Sequence, residues 1–455
     1  MISKIILLLV SLCGRGGGAT KMFKLKYNAL SLVQILFGFL NSILLLKVFG
    51  VSGQTDAYFI GDIILGVMVM LQMMAVEQFM YFYHELKAAD LESARSLYAY
   101  ALSVTLLLGA AALLLLNLFS GAVISLFAYT LDPERLAILK RLFPVFSLLA
   151  IFNPLNFLNA KLLNAEGRFA YPYVLSIIPS LFSACALVFV YFSGDNDIMW
   201  LLAASVGGGA AAALFGFAAV KACGVPVRLA CSHPAAREFV TNSVEIKFGH
   251  NINNILAPLI TNNMLSAFSP GAVSYFGYAW KIVTAIGNLA AGPSARMFAS
   301  AVSAAWPAGD PARIKSLTRE FLRLIIPLFF VSVAAAYAAL PYALELVASA
   351  RLVAGDIAAI RLMFLALAAW YLAGLVESAF IQICIAARGS RVFVLNNSIF
   401  VALYFLAAWS GSRVFGIYAI PLGLIAAQVG SFLLYFRAST GILGRMSSSE
   451  KAEPS

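Results

Sequence analysis

Four ionisable side chains stand inside long apolar segments of this sequence: Asp62, Glu77, Lys281 and Glu377. An ionised group at bilayer depth costs about 2.5–3.5 kcal/mol on insertion scales, so it is kept only where a partner, a cavity or water receives it. Glu77 lies near enough to the end of its segment to be hydrated. Asp62 and Lys281 lie several residues inside theirs, which points to a cavity rather than to snorkelling. The two occupy nearly equivalent places in the two halves of the chain, so they are expected to face each other and neutralise one another until a charged substrate competes. The alternative is that each has a different partner.

Polar amides form a second group. In GHNINNILAPLITNN, Asn251, Asn254, Pro258, Thr261 and Asn262 recur at steps of three and four, which places them on one helical face. A polar stripe in a membrane helix faces protein or water. It therefore either bonds to neighbouring helices or lines a hydrophilic cavity, and Gln34 and Asn41, on one face of an earlier segment, are candidates for the opposite wall. These groups bind and release; they do not make bonds. The sequence holds no HExxH, no P-loop and no G-x-S-x-G, and its only histidines are His84, His233 and His250. The outward loops offer Asp132, Glu134, Glu345 and Asp356, which solvation explains. Neither a catalytic residue nor a cofactor is expected. Cys223, Cys231 and His233 share a loop but lack the fourth ligand that a closed zinc site needs, so no metal site is expected either.

The elements that position these residues are set by composition. The 455 residues are 62% hydrophobic and 11% charged, against roughly 25% charged in a soluble domain. Apolar runs of about twenty residues recur throughout, each long enough to cross a hydrocarbon core as a helix. The expected fold is an all-α polytopic membrane protein of about twelve spans. They fall near 28–47, 57–82, 97–119, 142–163, 171–194 and 198–220, then 249–268, 272–303, 321–343, 357–386, 392–410 and 416–437. Residues 1–27 read as an N-terminal extension and 438–455 as a polar tail. Between the six-span lobes, 28–220 and 249–437, lies a basic linker at 221–248. Pro154, Pro179, Pro258, Pro327 and Pro421 are expected to kink their spans. Gly207, Gly208, Gly209, Ala213 and Gly216 are expected to let helices approach closely.

The net charge of +11 follows from the retention of Lys and Arg in cytoplasmic loops, and no basic domain points to nucleic acid. With the N-terminus inside, segments such as Lys221–Lys247 and Arg313–Arg323 fall on the cytoplasmic side. The resulting excess of basic residues there, roughly three to one, favours both termini in the cytoplasm. Related segments stand at the same point of each lobe: FGVSGQTDAYFIGDI from Phe49 and FSPGAVSYFGYAWKI from Phe268. Such an internal repeat is the usual construction of transporters that rock one half against the other.

The turn from Lys47 to Phe59, KVFGVSGQTDAYF, resembles that after the first span of the MurJ/MviN lipid II flippases, in the multidrug/oligosaccharidyl-lipid/polysaccharide exporter superfamily. The run Gly271–Lys281, with Ala308-Gly-Asp310 and Leu324–Pro327, resembles the eighth span, following loop and ninth span of that family. The resemblance covers about residues 28–437. It implies a multi-pass protein of the bacterial inner membrane that moves a lipid-pyrophosphate-linked glycan between leaflets by alternating access. Its partners would be membrane lipids, that substrate and a coupling ion. By the same resemblance Asp56 is the family's acid at the start of the second span, and Lys281 stands in place of a cavity arginine. The family's other basic residues give way to uncharged ones around Ile35 and Asn41 and at Val69 and Met70, and no counterpart of its two further C-terminal spans is found. An exopolysaccharide or O-antigen-like unit suits such a cavity better than lipid II. The second reading is a cation-coupled drug or metabolite antiporter of the same superfamily, in which Asp62 or Glu377 would carry the coupling ion.

Overall fold

The computed structural model describes residues 21–306, 309–348, 354–387 and 390–450; the extension at 1–20 and the last five residues lie outside them. The described residues are almost wholly helical. They form twelve α-helices of 22 residues or more and two shorter ones. Eight stretches of the described residues are long and apolar enough to cross a membrane, the last running through two helices from Val392 to Met446. The chain divides into two compact units, Met1–Lys247 and Phe248–Ser455.

The first unit holds α1 (Lys21–Phe49), α2 (Gly53–Met74), α3 (Phe79–Ala89), α4 (Leu91–Leu118), α5 (Ser120–Phe127), α6 (Pro133–Ala165), α7 (Tyr171–Ser193) and α8 (Met199–Ala222). α9 (Ala236–Ser266) carries the chain across the division. α6 is the central helix of the unit and packs against α2, α4 and α8, while α7 packs against α8 and α1. Local chemistry sets the ends of these helices. The chain turns through Gly50 at φ 62°, and Ser52 and Thr55 then form a reciprocal capping box that starts α2. Asp132 caps α6 with Pro133 behind it, where the missing N–H is no loss.

Two expected boundaries move. The second span, read as 57–82, ends at Met74: the backbone turns at Ala75–Gln78 and resumes as α3. Val76, Phe79, Phe82 and Tyr83 are buried in the unit's core. α3 therefore belongs to the packing at the end of the unit and does not prolong the span. A clamp holds it there, since Glu166, at the end of α6, accepts hydrogen bonds from Tyr83 Oη at 2.6 Å and Lys87 Nζ at 2.7 Å. Burial pushes the Glu166 carboxyl up, but the two bonds outweigh that and hold it below its ordinary value. The linker, read as 221–248, is loop only as far as α9, which begins at Ala236.

The second unit holds α10 (Ala272–Ala305), α11 (Pro311–Ala348), α12 (Ala354–Ala386), α13 (Ser390–Phe415) and α14 (Ala419–Glu450). Here α12 is central, packing against α10, α11 and α14, and α13 packs against α14. Counting long helices, the fourth of each half contacts the second, third and sixth, and the fifth contacts the sixth. The two halves are thus built on one plan. α14 runs on to Glu450, so the expected tail is mostly helix, and Pro421 lies in the first turn, where it kinks nothing.

Where α8 crosses α7 a helix comes close to its neighbour's backbone. A Cβ on Gly208 would stand 2.7 Å from Pro179 Cα and 2.9 Å from Phe182 Cβ. The first of these is backbone and cannot swing away. Gly208→Val should therefore destabilise the first unit by about 1–3 kcal/mol, seen as a lower melting temperature of the purified protein, while Gly207→Ala, 3.7 Å from the nearest atom, should have little effect. The Glu166 clamp has its own pH signature. Its carboxyl is depressed on folding, so its contribution is complete above the ordinary glutamate value of about 4.3 and is lost as pH falls through the folded value below that. Amide protection factors in α3, taken relative to the intrinsic exchange rate at each pH, should fall on acidification, and Glu166→Gln should abolish the change.

Candidate functional site

Asp56 is fully buried. Its Oδ2 accepts from Arg135 Nη1 at 3.0 Å, and Arg135, 5% exposed, is also bonded through Nε to Asp132. The carboxylate that the resemblance marks as the family's acid fastens the start of α2 to the start of α6. The second unit repeats the contact with a phenol in place of the guanidinium, where Tyr275 Oη donates to Asp356 Oδ1 at 2.5 Å. Asp56 and Tyr275 are each the fourth residue of α2 and α10, and Arg135 and Asp356 each the third of α6 and α12.

The same register places Asp62 and Lys281, each the tenth residue of its helix and roughly 14 Å along it. Asp62 is exposed and has no ion pair among the described residues; Lys281 is half-buried. The two expected partners belong to different units.

The amides divide. Gln34 is half-buried on α1. Asn41 donates to the Ser180 carbonyl of α7 at 2.8 Å. On α9 the side chain of Asn251 lies outside the described residues and Asn254 is half-buried. Thr261 and Asn262 are buried, with Thr261 Oγ1 2.6 Å from Tyr404 Oη on α13. The Asn262 end of the expected stripe is therefore interior, and Thr261 ties helices together there as Asn41 does between α1 and α7.

Glu377 is buried in α12, where Gln428 donates to one carboxylate oxygen and Ser431, on α14, donates to the other at 2.8 Å. Asn396 of α13 donates to Ser431 at 2.6 Å, so one carboxylate links three helices. Among the described residues no Lys, Arg or His is ion-paired with it. The first unit has a weaker relative of this contact: Asn156, at the same position in α6, donates to the Gly209 carbonyl of α8 at 3.1 Å. Arg135, Gln428, Ser431 and Asn396 were not among the expected site residues. The three in the second unit carry a signal of the same kind as the α9 stripe, polar side chains at helical spacing in apolar spans.

Removing one partner of a buried ion pair leaves the other uncompensated, at a cost of about 3–5 kcal/mol, whereas an apolar pair of similar volume is tolerated. Arg135→Met alone should lower membrane levels and melting temperature sharply. Arg135→Met with Asp56→Leu should recover most of the loss, and a double variant no better than the single one would show that the pair is not what fastens α2.

A model of the family described as lipid II flippase MurJ matches residues 32–443. Among solved structures, the lipid II flippase MurJ in an inward closed conformation is similar at TM-score 0.74 and 16% identity, covering 91% of this chain and 87% of that one. An inward-facing multidrug resistance MATE family transporter of the MOP superfamily is similar at TM-score 0.73 and 13% identity, covering 98% and 99%. A MOP superfamily transporter from Pyrococcus furiosus is similar at TM-score 0.65 and 14% identity, covering 93% and 96%. No curated protein matches by sequence. The structural likenesses carry the fold, and the family match over nearly the whole length, together with the motifs from Lys47 to Phe59 and from Gly271 to Lys281, means that this chain belongs to the MurJ lipid II flippase family.

Proposed function

We propose that the chain moves a lipid-pyrophosphate-linked glycan, a polysaccharide or peptidoglycan precursor, from the inner to the outer leaflet of the bacterial cytoplasmic membrane, with both termini in the cytoplasm. Lys281 is the cation that receives the phosphate. The observation that carries this reading is the register shared by Asp62 and Lys281, which sets one charge of each sign equally deep in a span of each unit. An exposed carboxylate at that depth is not left in hydrocarbon, so the face of α2 that bears Asp62 is wetted. A negatively charged headgroup passing between leaflets needs a counter-charge in such a low-dielectric place, where one ammonium acts far more strongly than in water. The Asp62 carboxylate repels the same headgroup and promotes its release. A coupling ion is served by Glu377, which holds a carboxylate among neutral donors on α14.

The family match favours this over the antiporter reading. Complementation of a flippase-deficient strain at matched membrane levels tests it. Lys281→Ala should abolish export, Lys281→Arg should retain part of it because the charge survives, and Asp62→Asn should do less harm than Lys281→Ala. Full export by Lys281→Ala would refute the assignment.

A further inference from the structure

A cavity of about 550 Å³ opens in the second unit between α11, α12 and α14, within the size range of sites for small organic ligands. Along one side run Lys315, Arg319 and Arg323, four residues apart and so on one face of α11. The opposite side is apolar, formed by Phe380 of α12 and Phe436 and Leu443 of α14. No acidic residue lines the cavity, and among the described residues none of the three cations is in an ion pair, although Glu320 lies next to Arg319 on the helix. Glu320 instead accepts a hydrogen bond from Ser316 at 2.9 Å. The nearby hydroxyls of Thr318, Ser439 and Thr440 donate to carbonyls of their own helices, so they add no donor to the three cations.

We propose that this cavity is a binding site for an acidic phospholipid, separate from the path of the transported substrate. The headgroup phosphate lies on the Lys315, Arg319 and Arg323 row and an acyl chain lies against Phe380 and Phe436. Charge complementarity and shape together select this occupant. Three unpaired cations within three turns of one helix hold a positive potential that only an anion relieves, and a guanidinium matches a phosphate through paired N–H donors. A free anion has no use for the apolar wall, whereas a neutral lipid has none for the cations. Basic pockets between membrane helices recognise acidic headgroups on this principle. On the orientation proposed above the site faces the cytoplasmic leaflet; lipid binding itself is measured without any assay of flipping, so failure of either reading leaves the other standing.

The test uses the full-length protein purified in neutral detergent, with melting temperature followed against added dioctanoyl phosphatidylglycerol, dioctanoyl phosphatidylcholine or inorganic phosphate. Phosphatidylglycerol should raise the melting temperature saturably, and the other two should not. A variant carrying Lys315→Gln, Arg319→Gln and Arg323→Gln, all on exposed side chains, should melt like the wild type without lipid and need at least tenfold more phosphatidylglycerol for the same shift. Arg313→Gln, on the same helix but outside the cavity, should respond like the wild type. Phe436→Ala should weaken phosphatidylglycerol without creating a response to phosphate. An undiminished response of the triple variant, an equal response to phosphatidylcholine, or an equal response to inorganic phosphate would each overturn the proposal. So would a polyprenyl pyrophosphate that displaces phosphatidylglycerol from this site, since the cavity would then belong to the substrate path.

Discussion

A charge or amide buried among membrane helices has no water to fall back on, so its natural partner is a polar group on a neighbouring helix. Both units are arranged around that requirement. In each, the fourth long helix is the hub, tied at its start to the second long helix and deeper down to the sixth. The ties are an ion pair and an amide–carbonyl bond in the first unit, and a phenol–carboxylate bond and the Glu377 network in the second. A third tie joins the first and fifth long helices, through Asn41 and the Ser180 carbonyl in one unit and Thr261 and Tyr404 in the other. The residue types differ while the pairs of helices joined correspond. What the repeat preserves is the place where two helices exchange a hydrogen bond.

This scaffold explains how a charge is held at a fixed depth in each unit. Because α2 is fastened through its fourth residue, the tenth is carried into the membrane at a defined height and angle. α10 does the same for Lys281 through Tyr275. Rigidity near the membrane surface thus becomes placement within it.

Hydropathy made the long helices legible, and the repeat showed itself in the equal offset of two segments beginning at Phe49 and Phe268. The break at Ala75–Gln78 did not show, because the apolar run continues through Val76, Phe79 and Phe82 and burial in a protein core looks the same in a sequence as burial in lipid. Asp56 is legible as a residue that matters, but its partner, Arg135, is 79 residues away. Residues that meet only through tertiary packing leave no local spacing to recognise. Lys315, Arg319 and Arg323 were legible as cytoplasmic charge, whereas the apolar wall opposite them comes from helices about sixty and more than a hundred residues further on.

The described ties of the first unit all close before Lys247, and this bears on how the protein is made. When α8 leaves the ribosome, every helix those bonds require is already in the membrane. At ordinary synthesis rates the remaining half of the chain takes roughly 10–40 s more, long against the packing of neighbouring helices. The first unit therefore has time to mature while the second is still being translated, and none of its buried charges has to wait in the bilayer for a partner encoded further along the message.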